Sequence, residues 1–315
     1  MPPTLKCHKP PTDACVGVFS PSEPITTERR PRFERGLAFV RDFGFQIKVP
    51  EEAYYEFFYM AGKPEIRVQT LHALVSDPEV DILWAAWGGK SCNQLLTRLD
   101  YERIAAARKP ILAFSDGCVL LNAITALTGL ITFSGPNVIG KAYESQHARL
   151  SLLTDEHYGR SNNLLGESGQ DASISLVNGV REGKLVGGNL STFVLGLTGS
   201  KFMPDFSDVI FFWESVADPP QLVDQYLTCL RNAGFFSRVR GMVIGSFIEQ
   251  DAAGYRRRDP LETVMDVLAG LDIPVLYAPT FGHLATLENP VLPIGALCEL
   301  NSAARTLSLL EDVID

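Results

Sequence analysis

The stretch Lys109-Pro-Ile-Leu-Ala-Phe-Ser115-Asp116-Gly117-Cys-Val-Leu-Leu-Asn122 decides the fold class. Its first half is a short apolar run bounded by Pro110, suited to a buried parallel strand. The second half continues as a helix over 117–127. A strand that turns sharply into a helix lifts a side chain out of the sheet and points backbone N–H groups at whatever that side chain attacks. Ser115 stands at the turn, which makes its hydroxyl a candidate nucleophile.

Outward from this turn, short β-like runs alternate with helix-length segments. Strands are expected over 14–20, 45–49, 81–86 and 111–114, with helices over 26–42 and 63–74 between them. Such alternation implies parallel βαβ units with active groups at the carboxyl ends of the strands. Two ends stand out, one at residues 87–93 and one at Ser115-Asp116. Between Pro136 and Lys184 the pattern weakens, and the polar segments 144–147, 154–159 and 161–171 read as a connection. Alternation resumes with strands over 185–186, 209–213, 240–247 and 274–277 and helices over 220–232 and 261–271. Residues 292–309 read as paired strands. The expected division is an N-terminal nucleophile domain over 1–137, a connection over 138–184 and a C-terminal domain over 185–315, in keeping with a chain of 315 residues.

Composition excludes several classes. A chain that is 46% hydrophobic and 21% charged is neither disordered nor fibrous. The formal net charge is −9, and the longest basic run is Arg256-Arg257-Arg258, so no nucleic-acid partner is expected. No run approaches the roughly 20 apolar residues of a membrane span, and the N-terminus lacks the apolar centre of a signal peptide, so the cytoplasm is the default expectation. Six scattered cysteines without C-x-x-C spacing suit reduced thiols better than disulfides or zinc.

Some motifs mislead. Gly89-Lys90-Ser91 resembles the end of a phosphate-binding loop, but position 84, where the first glycine would stand, is Trp. Gly187-Gly188-Asn189 does not match a dinucleotide fingerprint. His8, His72, His147 and His157 have no metal-ligand spacing, so no metal and no cofactor is expected.

Serine chemistry needs a base, a group to orient the base, and donors for the oxyanion. Imidazole is the natural base near neutral pH. Of five histidines, His283 is framed like a site residue in Ala278-Pro-Thr-Phe-Gly-His283, just after the strand at 274–277. Local sequence equally allows a surface loop histidine. Glu214 ends the apolar run Val209-Ile-Phe-Phe-Trp213 and is the candidate orienting acid; a solvated strand-end glutamate is the alternative.

Taken in order, Gly88-Gly89, Asn93-Gln-Leu-Leu96, Leu99-Asp-Tyr101, Phe114-Ser115-Asp116, Thr132-Phe-Ser-Gly-Pro136, Gly187-Gly-Asn-Leu-Ser191, Trp213-Glu214, Gly241-Met-Val-Ile-Gly245 and Gly282-His283 resemble the LD-carboxypeptidase family of serine peptidases, including its microcin C self-immunity branch. The resemblance runs from about Val16 to Gly295. It implies an α/β fold in which an N-terminal parallel-sheet domain, flavodoxin- or Rossmann-like with a nucleophile elbow, is joined to a smaller C-terminal mixed α/β domain, with the active site in the cleft between. It also implies a Ser115-Glu214-His283 triad split between the domains, and a homodimer. Backbone N–H groups of Gly89 and Asp116 are the natural oxyanion donors, and the Asp116 side chain reads chiefly as the cap of its own helix.

Substrate is less determined. LD-carboxypeptidases commonly carry Arg-Gly-Gly-Tyr-Gly where this chain has Trp87-Gly88-Gly89-Lys90-Ser91, so Trp87, Lys90 and Ser91 are candidate substrate contacts. The spacing from Gly88 to Tyr101 looks more like the immunity branch, but residues 135–184 hold no tryptophan for stacking on adenine. Only Tyr143, Tyr158, His147 and His157 are available there. A murein peptide and an aminoacyl-nucleotide conjugate both stay open as the small-molecule partner. Outside the family, an α/β-hydrolase esterase has the same Ser…acid…His order, although Ala113 stands where its elbow carries a first glycine. A silent binding protein that kept the cleft is the other alternative.

Overall fold

Short, uniformly apolar runs become the inner strands of two sheets. The computed structural model describes residues 2–140, 163–248, 260–283 and 289–315. In the first sheet β1 (Cys15–Phe19), β2 (Gln46–Lys48), β3 (Ile82–Ala85), β4 (Ile111–Ala113) and β5 (Thr132–Ser134) run parallel in the order β2-β1-β3-β4-β5. Every residue of β3 and β4 is buried, as strands sandwiched in an α/β fold must be. The crossovers are α1 (Arg30–Asp42), α2 (Pro64–Ser76), α3 (Tyr101–Ala107) and α4 (Gly117–Thr128). This strand order is the flavodoxin-like one, in which ligands gather beyond the carboxyl ends of the strands.

The second sheet is mixed. Its order is β13-β12-β7-β8-β9-β10-β6, with β6 (Ile174–Val177), β7 (Val180–Asn189), β8 (Val209–Val216), β9 (Val239–Ile248), β10 (Val275–Tyr277), β12 (Leu297–Asn301) and β13 (Thr306–Leu309). Strands β7 to β10 are parallel and the outer three antiparallel. Helices α5 (Gly166–Ala172), α6 (Leu190–Leu197), α7 (Pro220–Asn232) and α8 (Pro260–Val267) complete this half.

Two features depart from the sequence expectation. The stretch read as a connection holds α5, β6 and the start of β7. Weak periodicity is natural for β6, an outer strand with no fully buried residue. The strand β11 (Leu292–Ile294), expected to pair with the tail, returns instead to the first sheet and pairs antiparallel with β5. There it satisfies a backbone edge that would otherwise stay open. Residues 144–147 and 154–159, with Tyr143, Tyr158, His147 and His157, lie outside the described residues. Among the described residues no helix is long and apolar enough to cross a membrane.

The period-2 alternation of β8 determines what faces the first domain. Ile210 and Phe212 pack into the apolar cluster that contains the first sheet, whereas Val209, Phe211 and Trp213 join a second cluster with Phe193 and Leu227. Continuing that alternation places Glu214 on the side of Ile210 and Phe212. The two halves are also tied by Asn122 of α4, which is fully buried. Its amide donates to Gly187 O at 2.7 Å and to Cys118 O at 2.7 Å, and its oxygen accepts from Gly187 N at 3.2 Å. Removing it leaves buried peptide groups of β7 without partners. Asn122→Ala is therefore expected to lower stability by about 2–3 kcal/mol, read as a lower urea midpoint with little change in the slope of the transition.

Candidate active site

Ser115 adopts φ 60°, a left-handed conformation that non-glycine residues rarely hold. The tight turn forces close approach between the residues two before and two after it. A Cβ on Gly117 would lie 2.5 Å from the Ala113 Cβ. One of the two positions must lack a side chain, and glycine at 117 alone meets that need, so Ala113 is compatible with a nucleophile elbow. The neighbouring loop also passes close by, since a Cβ on Gly88 would lie 2.9 Å from the Ser115 Cβ.

Across the cleft, the second sheet delivers the partners. His283 Nε2 lies 3.0 Å from Ser115 Oγ, and His283 Nδ1 lies 2.7 Å from Glu214 Oε2. The imidazole rests against the Phe114 ring, centroids 4.8 Å apart. Glu214 is not a solvated strand end. It sits within β8 at 1% exposure, where a carboxylate persists only with partners. The second partner is Asn189, at the end of β7, whose amide donates to Glu214 Oε1 at 3.0 Å. The Asn189 oxygen in turn accepts from Thr192 N at 3.2 Å, capping α6, and from Ser191 Oγ at 3.0 Å. His72, by contrast, accepts from Asp100 N.

Burial of the His283 ring disfavours its charged form, but the adjacent Glu214 carboxylate, its hydrogen bond and the more distant Asp218 outweigh this, so the pKa stands above its ordinary value. Folded protein therefore gains stability from charged His283 at pH below about 6.5. That contribution is lost as pH rises through the higher folded value. Two thiols border the elbow, but burial pushes Cys118 up to about 12 and Cys92 well above its ordinary value, so neither supplies a thiolate.

The Asp116 side chain does not cap its own helix. Its Oδ2 accepts from Ser91 N at 2.6 Å, Cys92 N at 2.8 Å and Ser22 Oγ at 2.6 Å, and so fixes the loop that carries Gly89. The capping expectation is corrected for a physical reason: the 3₁₀ turn Cys92–Gln94 begins directly opposite and offers its N–H groups to the carboxylate. Gly89 has φ 146°, and a Cβ there would lie 2.4 Å from Ser22 Oγ, so only glycine fits. The amides of Gly89 and Asp116 have no hydrogen-bond partner among the described residues.

The three residues expected to touch substrate separate. Ser91 is wholly buried and its hydroxyl accepts from Arg67 at 3.1 Å, which removes it from the set of surface contacts. Trp87 is half-buried, and the guanidiniums of Arg29 and Arg32 each lie 5.3 Å from the centre of its ring. Lys90 is exposed and lines a cleft of about 150 Å³ with Asp116 and Asp218.

Residues 16–135 match the LD-carboxypeptidase N-terminal domain and residues 182–300 the C-terminal domain. The chain belongs to the LD-carboxypeptidase family. Among curated relatives of this serine peptidase family, it is 30% identical to the microcin C7 self-immunity protein MccF of Escherichia coli, over 95% of this chain and 94% of the relative. It is 27% identical to a probable murein peptide carboxypeptidase of Bacillus subtilis, over 92% and 90%. The structure of MccF in complex with glutamyl sulfamoyl guanosine superposes with a TM-score of 0.90 at 27% identity, covering 99% of this chain and 100% of that one. The chain is thus an enzyme of the LD-carboxypeptidase type, a hydrolase with a two-domain α/β fold.

Sequence reading names Ser115, Glu214 and His283, which the structure brings together, but not the residues that hold them. Asn189 lies in the Gly187–Ser191 stretch, and its position immediately before an apolar helix is the signal that marks it. Ser22 and Arg67 lie 69 and 24 residues before Ser91, a separation that no local pattern bridges. A histidine titration followed by NMR is expected to place His283 above about 6.5, and Glu214→Gln to lower it, because burial then acts with less opposition.

Proposed function

We propose that this LD-carboxypeptidase hydrolyses a peptide-like amide through an acyl-enzyme on Ser115. The observation that carries this reading is the hydrogen-bond chain from Ser115 Oγ through His283 to Glu214, at 3.0 and 2.7 Å. His283 Nε2 takes the Ser115 proton as the hydroxyl adds to the carbonyl carbon. Glu214 holds the proton on Nδ1 and stabilises the imidazolium. The negative charge on the carbonyl oxygen falls toward the amides of Gly89 and Asp116 at the start of α4, where the helix adds its positive end. Collapse of the tetrahedral intermediate breaks the C–N bond, and the leaving nitrogen takes the proton from His283. Water then adds to the ester, giving its proton to His283, and Ser115 regains that proton as the acid departs.

The substrate class we favour is an aminoacyl-nucleotide conjugate, because MccF aligns over nearly the whole of both chains and a structure of it holds a glutamyl sulfamoyl nucleoside. A murein peptide is the second reading, supported by the Bacillus subtilis relative and by the lack of tryptophan in residues 135–184.

Mass spectrometry of products from an aminoacyl sulfamoyl adenosine and from a murein tetrapeptide tests the reading. Cleavage of either is expected in wild type and its loss in Ser115→Ala, and undiminished cleavage by Ser115→Ala would overturn it. Glu214→Gln is expected to lower kcat by roughly a thousandfold or more. Since His283 acts as a base only when neutral and its pKa is raised, kcat/KM is expected to climb with pH through a value above about 6.5 and then level off. A profile flat from pH 5 to 9 would contradict the assigned base. Absence of both turnover and fluorophosphonate labelling at Ser115 would favour a silent binding protein.

A further inference from the structure

His283 follows a glycine, and the packing allows nothing larger there. A Cβ on Gly282 would lie 2.0 Å from Ser246 Oγ of β9 and 3.3 Å from Glu214 Oε2, and Gly282 has φ 132°. The space beneath the triad thus forces the most permissive residue into the place directly before the base, where free rotation would swing the imidazole away from Ser115. The peptide that joins Phe281 to Gly282 is held at both of its polar groups instead. Its oxygen accepts from Ser246 N at 2.8 Å, which ties it to the second sheet. Its N–H donates to Asn289 Oδ1 at 2.6 Å. Asn289 is half-buried, and its own N–H donates to Thr280 O at 3.1 Å. It has φ 44°, a left-handed conformation that asparagine and glycine adopt more readily than other residues. Three residues further on the chain enters β11, which pairs with β5 of the first sheet.

We propose that Asn289 is a positioning residue for His283, its side chain tying the peptide before the base to the chain that returns to the nucleophile's sheet. The inference rests on the reading of His283 as the base for Ser115 and deepens it by naming what holds the base in register with the first sheet. Ser246 contributes a main-chain N–H, so that tie to the second sheet does not depend on the side chain at 246. Asn289, by contrast, is the one side chain among the described residues that hydrogen-bonds the backbone of residues 278–283. The group it meets is a donor, so the acceptor oxygen is the part that matters. The 3.0 Å approach of His283 Nε2 to Ser115 Oγ tolerates little displacement before the hydrogen bond is lost. Asn289 takes no part in proton transfer. The charges that act on His283 are Glu214, in contact, and the more distant Asp218, and a neutral substitution at 289 alters neither.

Two substitutions at this position test the proposal. Asn289→Gly keeps a residue suited to the left-handed backbone but removes the acceptor, whereas Asn289→Asp keeps the acceptor and adds a charge. In Asn289→Gly, kcat is expected to fall roughly 10- to 100-fold, the cost of a misplaced reacting group, with KM changed by less than about twofold and the urea midpoint close to wild type. The His283 pKa, followed by NMR, should drop, because an imidazole that wanders loses part of the Glu214 contact that holds it up against burial. Asn289→Asp should recover most of kcat while raising the His283 pKa above wild type, and so move the rise of kcat/KM to higher pH. Wild-type kcat and an unchanged His283 titration in Asn289→Gly would overturn the proposal. So would a loss of kcat that Asn289→Asp shares in full, or one that leaves the His283 titration unmoved. The NMR readout needs no turnover, which keeps the two claims apart. Undiminished cleavage by Ser115→Ala would sink the hydrolytic reading, while opposite pKa shifts in the two Asn289 variants would still uphold the positioning of His283.

Discussion

The site depends on one contact that spans the two sheets, the 3.0 Å approach of His283 Nε2 to Ser115 Oγ. Ser115 belongs to the elbow after β4, and His283 to the loop after β10 of the other sheet. A relative shift of the halves by 1 Å would break the hydrogen bond, whatever the local geometry of each residue. The fold therefore invests in fixing that relation. Asn122 ties α4 to β7, β11 carries the C-terminal half back onto the edge of β5, and Ile210 and Phe212 of β8 lie in the same apolar cluster as the first sheet.

Beneath this contact stand two buried carboxylates with different tasks. Glu214 is held by Asn189 and His283, and its charge supports a proton on the imidazole. Asp116 is one residue from Ser115, yet its carboxylate accepts from Ser91 N, Cys92 N and Ser22 Oγ, which turns its charge into a clamp on the Gly89 loop. Arg67, buried and bonded to Ser91 and to Pro21 O, lies behind the clamp and offsets the negative charge near the site where an oxyanion would form. Neighbouring acids can thus serve chemistry and architecture separately because their hydrogen-bond partners differ.

Much of this was legible in order along the chain. The strand-Ser-helix turn, the βαβ rhythm of the first half and the family resemblance all follow from local patterns, and the elements that periodicity marks fall within a few residues of their expected places, whereas the short helices α3 and α6 carry no such mark. What escaped had physical reasons. Short β5 holds one apolar residue in three, and β6, four residues long with no buried position, shows no alternation long enough to announce a strand. The return of β11 is a choice between two available edges, which no window of sequence contains. The Asp116 side chain has two competing sets of N–H groups, its own helix and the turn opposite, and only the folded arrangement decides between them. Ser91 is expected to touch substrate, yet its hydroxyl is consumed by Ser22 and Arg67.

Glu214 illustrates the boundary between the two kinds of information. Its place at the end of an apolar run suggests either a site residue or a solvated charge, whereas the alternation of β8 aims it toward the first sheet and buries it. The departure from a two-glycine elbow likewise has a local cause, since Gly117 alone relieves the clash with Ala113.

The most direct measurement is rapid-quench peptide mapping by mass spectrometry during turnover. The account predicts a transient adduct with the mass of the substrate's acyl group on the peptide that carries Ser115, rising before product accumulates and decaying with it. Turnover without an adduct when deacylation is slowed, or an adduct on any other residue, would contradict it.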